Sequence, residues 1–552
     1  MTMHPWLICL LAAVATPAAA DTLIDNVRGL QVDKTGKLQH FTGVVIGPDG
    51  KVTRLLGTGD ARPAKVNVRI DGRGRALLPG LIDAHGHVMG LGQAALSLDV
   101  TGTRSAGELQ RRLKDYAAEH PADAWILGGG WNQELWADRK FPNAADLDAV
   151  VKDRPVVLRR VDGHALVANS AAMQAAGITA QTVAPIGGRI EQGLFVDQAM
   201  DLIGAKIPLP TPVQRDAWLA KAQQILRGQG LTATADMGTE PADWAAMRRA
   251  GNAGQLTVRI MSYGAGIDGA KRISPTGPTA WLYGDRLRME GVKLYADGAL
   301  GSRGAWLKAP YSDMPGTSGL RFHTDAQYDA LVAEATRRHW QIATHAIGDA
   351  ANAQVIRSYA AHGSANGDKR WRIEHVQIVD PADLPGIAAN GIIASMQPTH
   401  QTSDDNMAEA RLGKARLAGA YAWRSITATG AHVAFGSDFP VESPNPFPGI
   451  AAAISRADPQ GQPPGGWRPE EKVTLAQALA GFTREPAYAG FAEDRIGSLD
   501  PGHWADFIFV DRDIAAVSPG ALAATKVTET WMAGQKVFEA NANANAVAVP
   551  AR

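Results

Sequence analysis

The sequence predicts an α/β chain organised as a TIM (β/α)8 barrel, with β-structure supplied by both chain ends. Three observations point there. Between about residues 76 and 494, short apolar β-rich runs alternate with Ala-rich helical stretches, the pattern of a parallel sheet with helical crossovers. Each run ends in a polar cluster, as on the C-terminal face of a barrel. The segments 22–75 and 497–540 read instead as short strands and turns, able to pair into one small sheet domain.

The elements follow in chain order. "FTGVVIGPDGKVTRLL" alternates and breaks at Pro48-Asp49-Gly50, a hairpin pattern. "LLPGLIDAHGHVMG" is the first barrel run. "RMEGVKLYADG", "WQIATHAIGD", "WRIEHVQIVD", "GIIASMQPTH" and "AHVAFGSDFP" are later ones. "AQYDALVAEATRRH" and "DAANAQVIRSYAAHG" are helices between them. A doubly wound open sheet competes, but it would place a Gly-rich phosphate loop after its first strand. Here that strand ends in His-Gly-His. "THQTSDDNM", residues 399–407, reads as a polar loop over the barrel mouth, and residues 541–552 as a flexible low-complexity tail.

Lys+Arg and Asp+Glu number 55 each, so no net field recruits nucleic acid or an anionic membrane. Residues 1–20 have the layout of a secretory signal peptide: an apolar core, then small residues before Asp21. Its n-region carries no Lys or Arg. A periplasmic, secreted protein is the expectation, with no stable membrane insertion, since the apolar core is far short of a ~20-residue span. The single cysteine, Cys9, lies in that leader. Cleavage would leave neither disulfides nor thiolate ligands.

The chemistry is in the strand ends. His85 and His87 are two apart on one strand and therefore share a face. His345, His375 and Asp438 end three further runs, and all are suitable ligands for a divalent cation. Lys293 ends another. A buried lysine beside cations is pushed toward the neutral amine, which can add carbon dioxide to give an anionic carbamate able to bridge two metals.

These motifs together resemble the metal-dependent amidohydrolase superfamily, and within it the family-3 branch that includes N-substituted formamide deformylases. The resemblance rests on "LLPGLIDAHGHVMGLG", "GGGWNQELW", "VDGHALVANSAAM", "GVKLYADGALGSRGAWL", "THAIGDAAN", "RIEHVQIV", "SMQPTH", "VAFGSDFPVESPNPFPGI" and "GSLDPGHWADFIFVDRD". It implies a TIM barrel over 76–494, an insertion at about 102–230, and a flanking β-sandwich from 21–75 and 495–540. It further implies one metal on His85, His87 and Asp438, a second on His345 and His375, and the Lys293 carbamate bridging both. Zn2+ is the expected ion. One departure is local: "GGRIEQGLFVDQAMDLI" looks shorter than the family's usual segment, which bears on the substrate pocket.

The function implied is hydrolysis of a C–N bond, in a non-peptide amide or substituted formamide, by a metal-activated hydroxide. The catalytic set is Asp438, Lys293 and His375, with Asp438 moving the proton to the leaving amine. Trp131 and Trp136 are candidates for an aromatic wall, with core packing as the alternative. His164, Asp297 and Arg303 are candidates to orient substrate or ligands. His400, closing the seventh strand, is a candidate substrate contact, with a plain structural bond as the alternative. An ester, lactone or carbamate hydrolase and a mononuclear deaminase are the competing enzyme readings; Lys293 argues against the deaminase. The expected partner is a small-molecule substrate, with a homodimer as one option for assembly.

Overall fold

The computed structural model describes residues 21–161, 165–185, 188–363 and 367–540. The expected signal peptide (1–20), the expected tail (541–552) and His164 lie outside them. At its centre eight strands run parallel in chain order: β1 (Leu81–Gly86), β2 (Leu231–Thr239), β3 (Arg259–Ala265), β4 (Leu287–Tyr295), β5 (Gln341–Ala346), β6 (Arg372–His375), β7 (Ile393–Met396) and β8 (Val433–Phe435). The ring closes just past β8. The Asp438 N–H donates to the His85 carbonyl at 2.7 Å, and the His87 N–H to the Phe439 carbonyl at 2.8 Å. Glycine is required at this join: a Cβ on Gly86 would meet the Phe439 ring at 2.2 Å. Gly291 of β4 is fixed by the same logic, since its Cβ would fall 1.9 Å from the Gln341 carbonyl oxygen of β5.

The strands bury nearly every side chain, as they must with packing on both faces. At the end where the strands begin, Ile82, Ala233 and Met261 pack on Ala487, Ala492 and Ile496 from the last barrel segment. That end is plugged. The strands finish at the other end, where the polar clusters stand.

The two chain ends fold together in one continuous sheet. Strand Ala76–Pro79 lies between Thr22–Val32 and Phe507–Val510, and Val527–Met532 and Gln535–Glu539 extend the C-terminal edge. Its core is shared: Ile24, Phe41 and Val52 meet Leu499, Phe507, Phe509 and Trp531. Between β1 and β2 a six-stranded sheet is inserted, beginning with Leu98–Asp99 and reaching Leu194–Asp197. Helix Pro212–Gly228 follows it and is the crossover into β2: Leu219, Ala222 and Leu226 belong to the barrel's core. No described helix is long and apolar enough to cross a membrane.

One segment departs from expectation. Residues 399–407 lie within helix Pro398–Leu412 and do not form a loop. Pro398 takes the first helical position, where its missing N–H costs nothing. Ala408 and Leu412 bury one face farther along. The polar composition belongs partly to the first turn, which turns His400 and Gln401 inward.

Candidate metal centre

The strand ends bring the ligand candidates together. His87 Nε2 lies 3.0 Å from Asp438 Oδ1, and His85 Nε2 lies 3.4 Å from the same oxygen. The His375 ring is 4.7 Å from that of His85 and 4.6 Å from that of His345. Lys293 Nζ is 3.3 Å from His85 Nε2. Two donor sets have all their ligand atoms within 4.8 Å of one another: His85, His87 and Asp438, and His375, His400 and Asp438. His400 thus joins the second set by distance. His345 stands beside it with Nε2 turned 3.6 Å from Asp297 Oδ1.

The surrounding side chains fix which nitrogen each ring offers. Glu374 Oε2 accepts from His85 Nδ1 at 2.6 Å, leaving Nε2 to face Lys293 and Asp438. Gln397 Oε1 accepts from His375 Nδ1 at 2.9 Å. Glu374 is in turn held by Arg372, whose Nε donates to Oε1 at 2.7 Å. Two ligand candidates sit in left-handed backbone, His375 at φ 76° and Asp438 at φ 61°. Such a conformation costs about 1–3 kcal/mol away from glycine, and the surrounding fold must hold it.

Burial opposes positive charge throughout. It pulls His85 down to about 4, with Lys293 adding to the effect. It pulls His345 to about 3 and His375 well below its ordinary value. It brings Lys293 down to about 8. Uncharged imidazole nitrogens are ligands, and an uncharged amine is what a carbamate requires. Burial would raise Asp438, but His85, the His87 hydrogen bond and His375 outweigh it and hold the carboxyl well below its usual range. His345 Nε2 and His400 Nε2 are buried and make no hydrogen bond. Buried polar atoms are rarely left so. Two of them beside the Asp438 carboxylate fit a bound cation and a polar substrate.

The other predicted site residues are placed differently. Trp131 is a core residue of the inserted sheet and not a wall of the site. It is 0% exposed, its ring meets Phe141, and its N–H donates to the Leu158 carbonyl at 2.8 Å. Trp136 is also buried, with its N–H on the Thr103 carbonyl. Trp131→Phe is therefore expected to cost about 1–2 kcal/mol, from the orphaned carbonyl, and to leave KM unchanged. Urea unfolding and steady-state kinetics check the pair. Arg303 is not turned to the centre either: both Nε and Nη2 are on Asp313. Asp297 is buried at the centre's edge and accepts the backbone N–H groups of Trp306, Ile347 and Gly348. It thereby ties the loop after β4 to the end of β5. His400 does not close β7; it stands in the first turn of helix Pro398–Leu412, with Nε2 3.7 Å from Asp438 Oδ2 and Nδ1 3.2 Å from Gln377 Nε2.

Glu374, Arg372 and Gln397 were not among the sequence candidates. For Arg372 and Glu374 the signal was an Arg-x-Glu pair inside an otherwise apolar strand, "WRIEHV".

The chain belongs to the amidohydrolase family, whose profile matches residues 69–538. It is 31% identical to YtcJ of Bacillus subtilis (strain 168) over 480 residues, covering 84% of this chain and 89% of that one. It is 25% identical to the N-substituted formamide deformylase of Arthrobacter pascens, over 85% of this chain and 90% of that one. Among solved structures, a metal-dependent hydrolase from Pyrococcus horikoshii OT3 superposes with a TM-score of 0.78 at 25% identity, covering 91% of this chain and 99% of that one. The chain is a hydrolase of that metal-dependent superfamily.

Proposed function

We propose that this hydrolase cleaves a C–N bond, in a non-peptide amide or substituted formamide, with two divalent cations, Zn2+ foremost, joined by Lys293 as its carbamate. The observation that carries the reading is the gathering of His85, His87, His375, His400 and Asp438 ligand atoms into two close sets that share Asp438. His85, His87 and Asp438 would hold one ion and His345 and His375 the other. The name of the Arthrobacter relative supports the bond type.

Bound divalent ions supply a water nucleophile at neutral pH and polarise a carbonyl. The remaining work falls to side chains. Asp438 accepts the proton of the attacking water at Oδ1 and delivers it to the leaving nitrogen. With the Gln377 amide nitrogen on Nδ1 of His400, the ring hydrogen is carried on Nε2, where a substrate carbonyl oxygen can accept it. Glu374 and Gln397 keep His85 and His375 in one tautomer.

Metal content per chain, by elemental mass spectrometry, tests the reading. Two ions per chain are expected, with Lys293→Ala losing at least one and most of the turnover on an amide panel. One ion per chain in the wild type, unchanged by Lys293→Ala, would sink the bridged centre. We propose further that the protein is exported and cut before Asp21; N-terminal sequencing of the periplasmic fraction checks it.

A further inference from the structure

The loop side of the site carries an aromatic surface that the hydrolytic chemistry does not use. Tyr295, the last residue of β4, is 42% exposed although Lys293, two residues before it, is 1% exposed. Its ring lies 5.4 Å from that of His345, and Lys293 Nζ stands 5.0 Å from its centroid. Its hydroxyl reaches back over the end of β2, where a Cβ on Gly238 would come within 4.0 Å of it. The side chain therefore reaches across the barrel mouth from β4 toward β2, part of it exposed and its ring close to His345 and Lys293.

The connection that follows it carries exposed apolar residues. Phe322, 46% exposed, is fastened next to Tyr295 by its N–H on the Ala296 carbonyl, and Leu320, 58% exposed, precedes it. The cations of the same connection are occupied: Arg303 with Asp313, Arg321 with Asp325, and Lys308 with Asp380 and Asp383. A carboxylate on the substrate finds no spare partner among these three. An aromatic or bulky apolar group finds a ring on which to stack, an arrangement that adds to simple burial.

We infer that Tyr295 is a substrate platform that selects amides bearing an aromatic or bulky apolar substituent, over small or carboxylated ones. The inference rests on the hydrolase reading above for the choice of probes. It names a surface that binds the non-reacting part of the substrate, which is where selectivity between amides of equal reactivity must arise.

The test uses the metal-loaded full chain and three probes: N-benzylformamide, N-methylformamide and N-carboxymethylformamide. Calorimetric binding and turnover are measured separately. The wild type is expected to bind the benzyl compound at least tenfold more tightly than the other two. Tyr295→Ala should remove about tenfold of that preference with metal content unchanged, and Tyr295→Phe should keep it. Equal binding of the benzyl and methyl probes by the wild type would overturn the platform. So would an equal loss on both probes in Tyr295→Ala, or a loss in Tyr295→Phe as large as in Tyr295→Ala. Preferential binding without turnover of any probe would count against the C–N hydrolase reading and leave the platform standing.

Discussion

Replacing Asp438 by Asn is expected to lower kcat by about 10³-fold, within the 10²–10⁴ range for a positioned acid–base group. The amide cannot take a proton from water or return one to the leaving nitrogen. It still offers an oxygen where Oδ1 stands, 3.0 Å from His87 Nε2 and 3.4 Å from His85 Nε2. The effect should therefore fall on kcat, with KM and metal content moving less than threefold. Steady-state kinetics beside elemental analysis reads both. Near-wild-type turnover in Asp438→Asn would remove the residue from proton transfer.

The second large effect is on stability. Arg372 is 0% exposed and holds Glu374 through two N–H groups, with further bonds to the Ala84 carbonyl and the Ser395 hydroxyl. Arg372→Met leaves the buried Glu374 carboxylate without its cation and with only the His85 N–H as partner, at a cost of about 3–5 kcal/mol. The sign with pH follows from the environment. Burial alone would raise the Glu374 carboxyl, and Arg372 followed by His85 brings it down to about 2. In the wild type this pair stabilises the fold above the ordinary glutamate range, and that contribution is lost as pH falls from about 4.5 toward 2. In Arg372→Met the main opposing charge is gone, so the variant's deficit should shrink between pH 7 and pH 5. The double variant Arg372→Met/Glu374→Leu should recover most of the stability but not the activity, because His85 has lost the acceptor on Nδ1. Urea unfolding at the two pH values, with turnover measured in parallel, separates these outcomes.

The barrel and its donor set were legible because both follow from local rules. Strand-then-helix alternation places one parallel strand after another, and a polar residue ending each strand must face the mouth. His85, His87, His345, His375, Asp438 and Lys293 could be found that way. Glu374, next to His375, shows where the rule stops. Strict alternation sends adjacent residues to opposite faces, yet both serve the centre, because φ of 76° at His375 turns the chain as β6 ends. No composition or spacing encodes that turn. Trp131 shows the opposite limit. Beside a Gly-rich run it suits a wall or a core equally, and only the Leu158 carbonyl under its N–H decides. His400 was legible as a site residue but not as a helical one, since its helix is polar and buries few apolar side chains early on.

The join that closes the barrel has a consequence for how the protein is made. The two backbone bonds that seal the ring run between residues 85–87 and 438–439, the same stretches that carry His85, His87 and Asp438. During synthesis the first two histidines emerge early and wait while the inserted sheet and seven more barrel strands are translated. Their carboxylate partner arrives only with the last of the barrel. The donor set is thus completed by a contact of very long range, of the kind that chain entropy makes slow to form. A nascent or truncated chain that stops short of residue 438 holds most of the donors and none of the clasp. Full loading with metal would then report that the ring has closed.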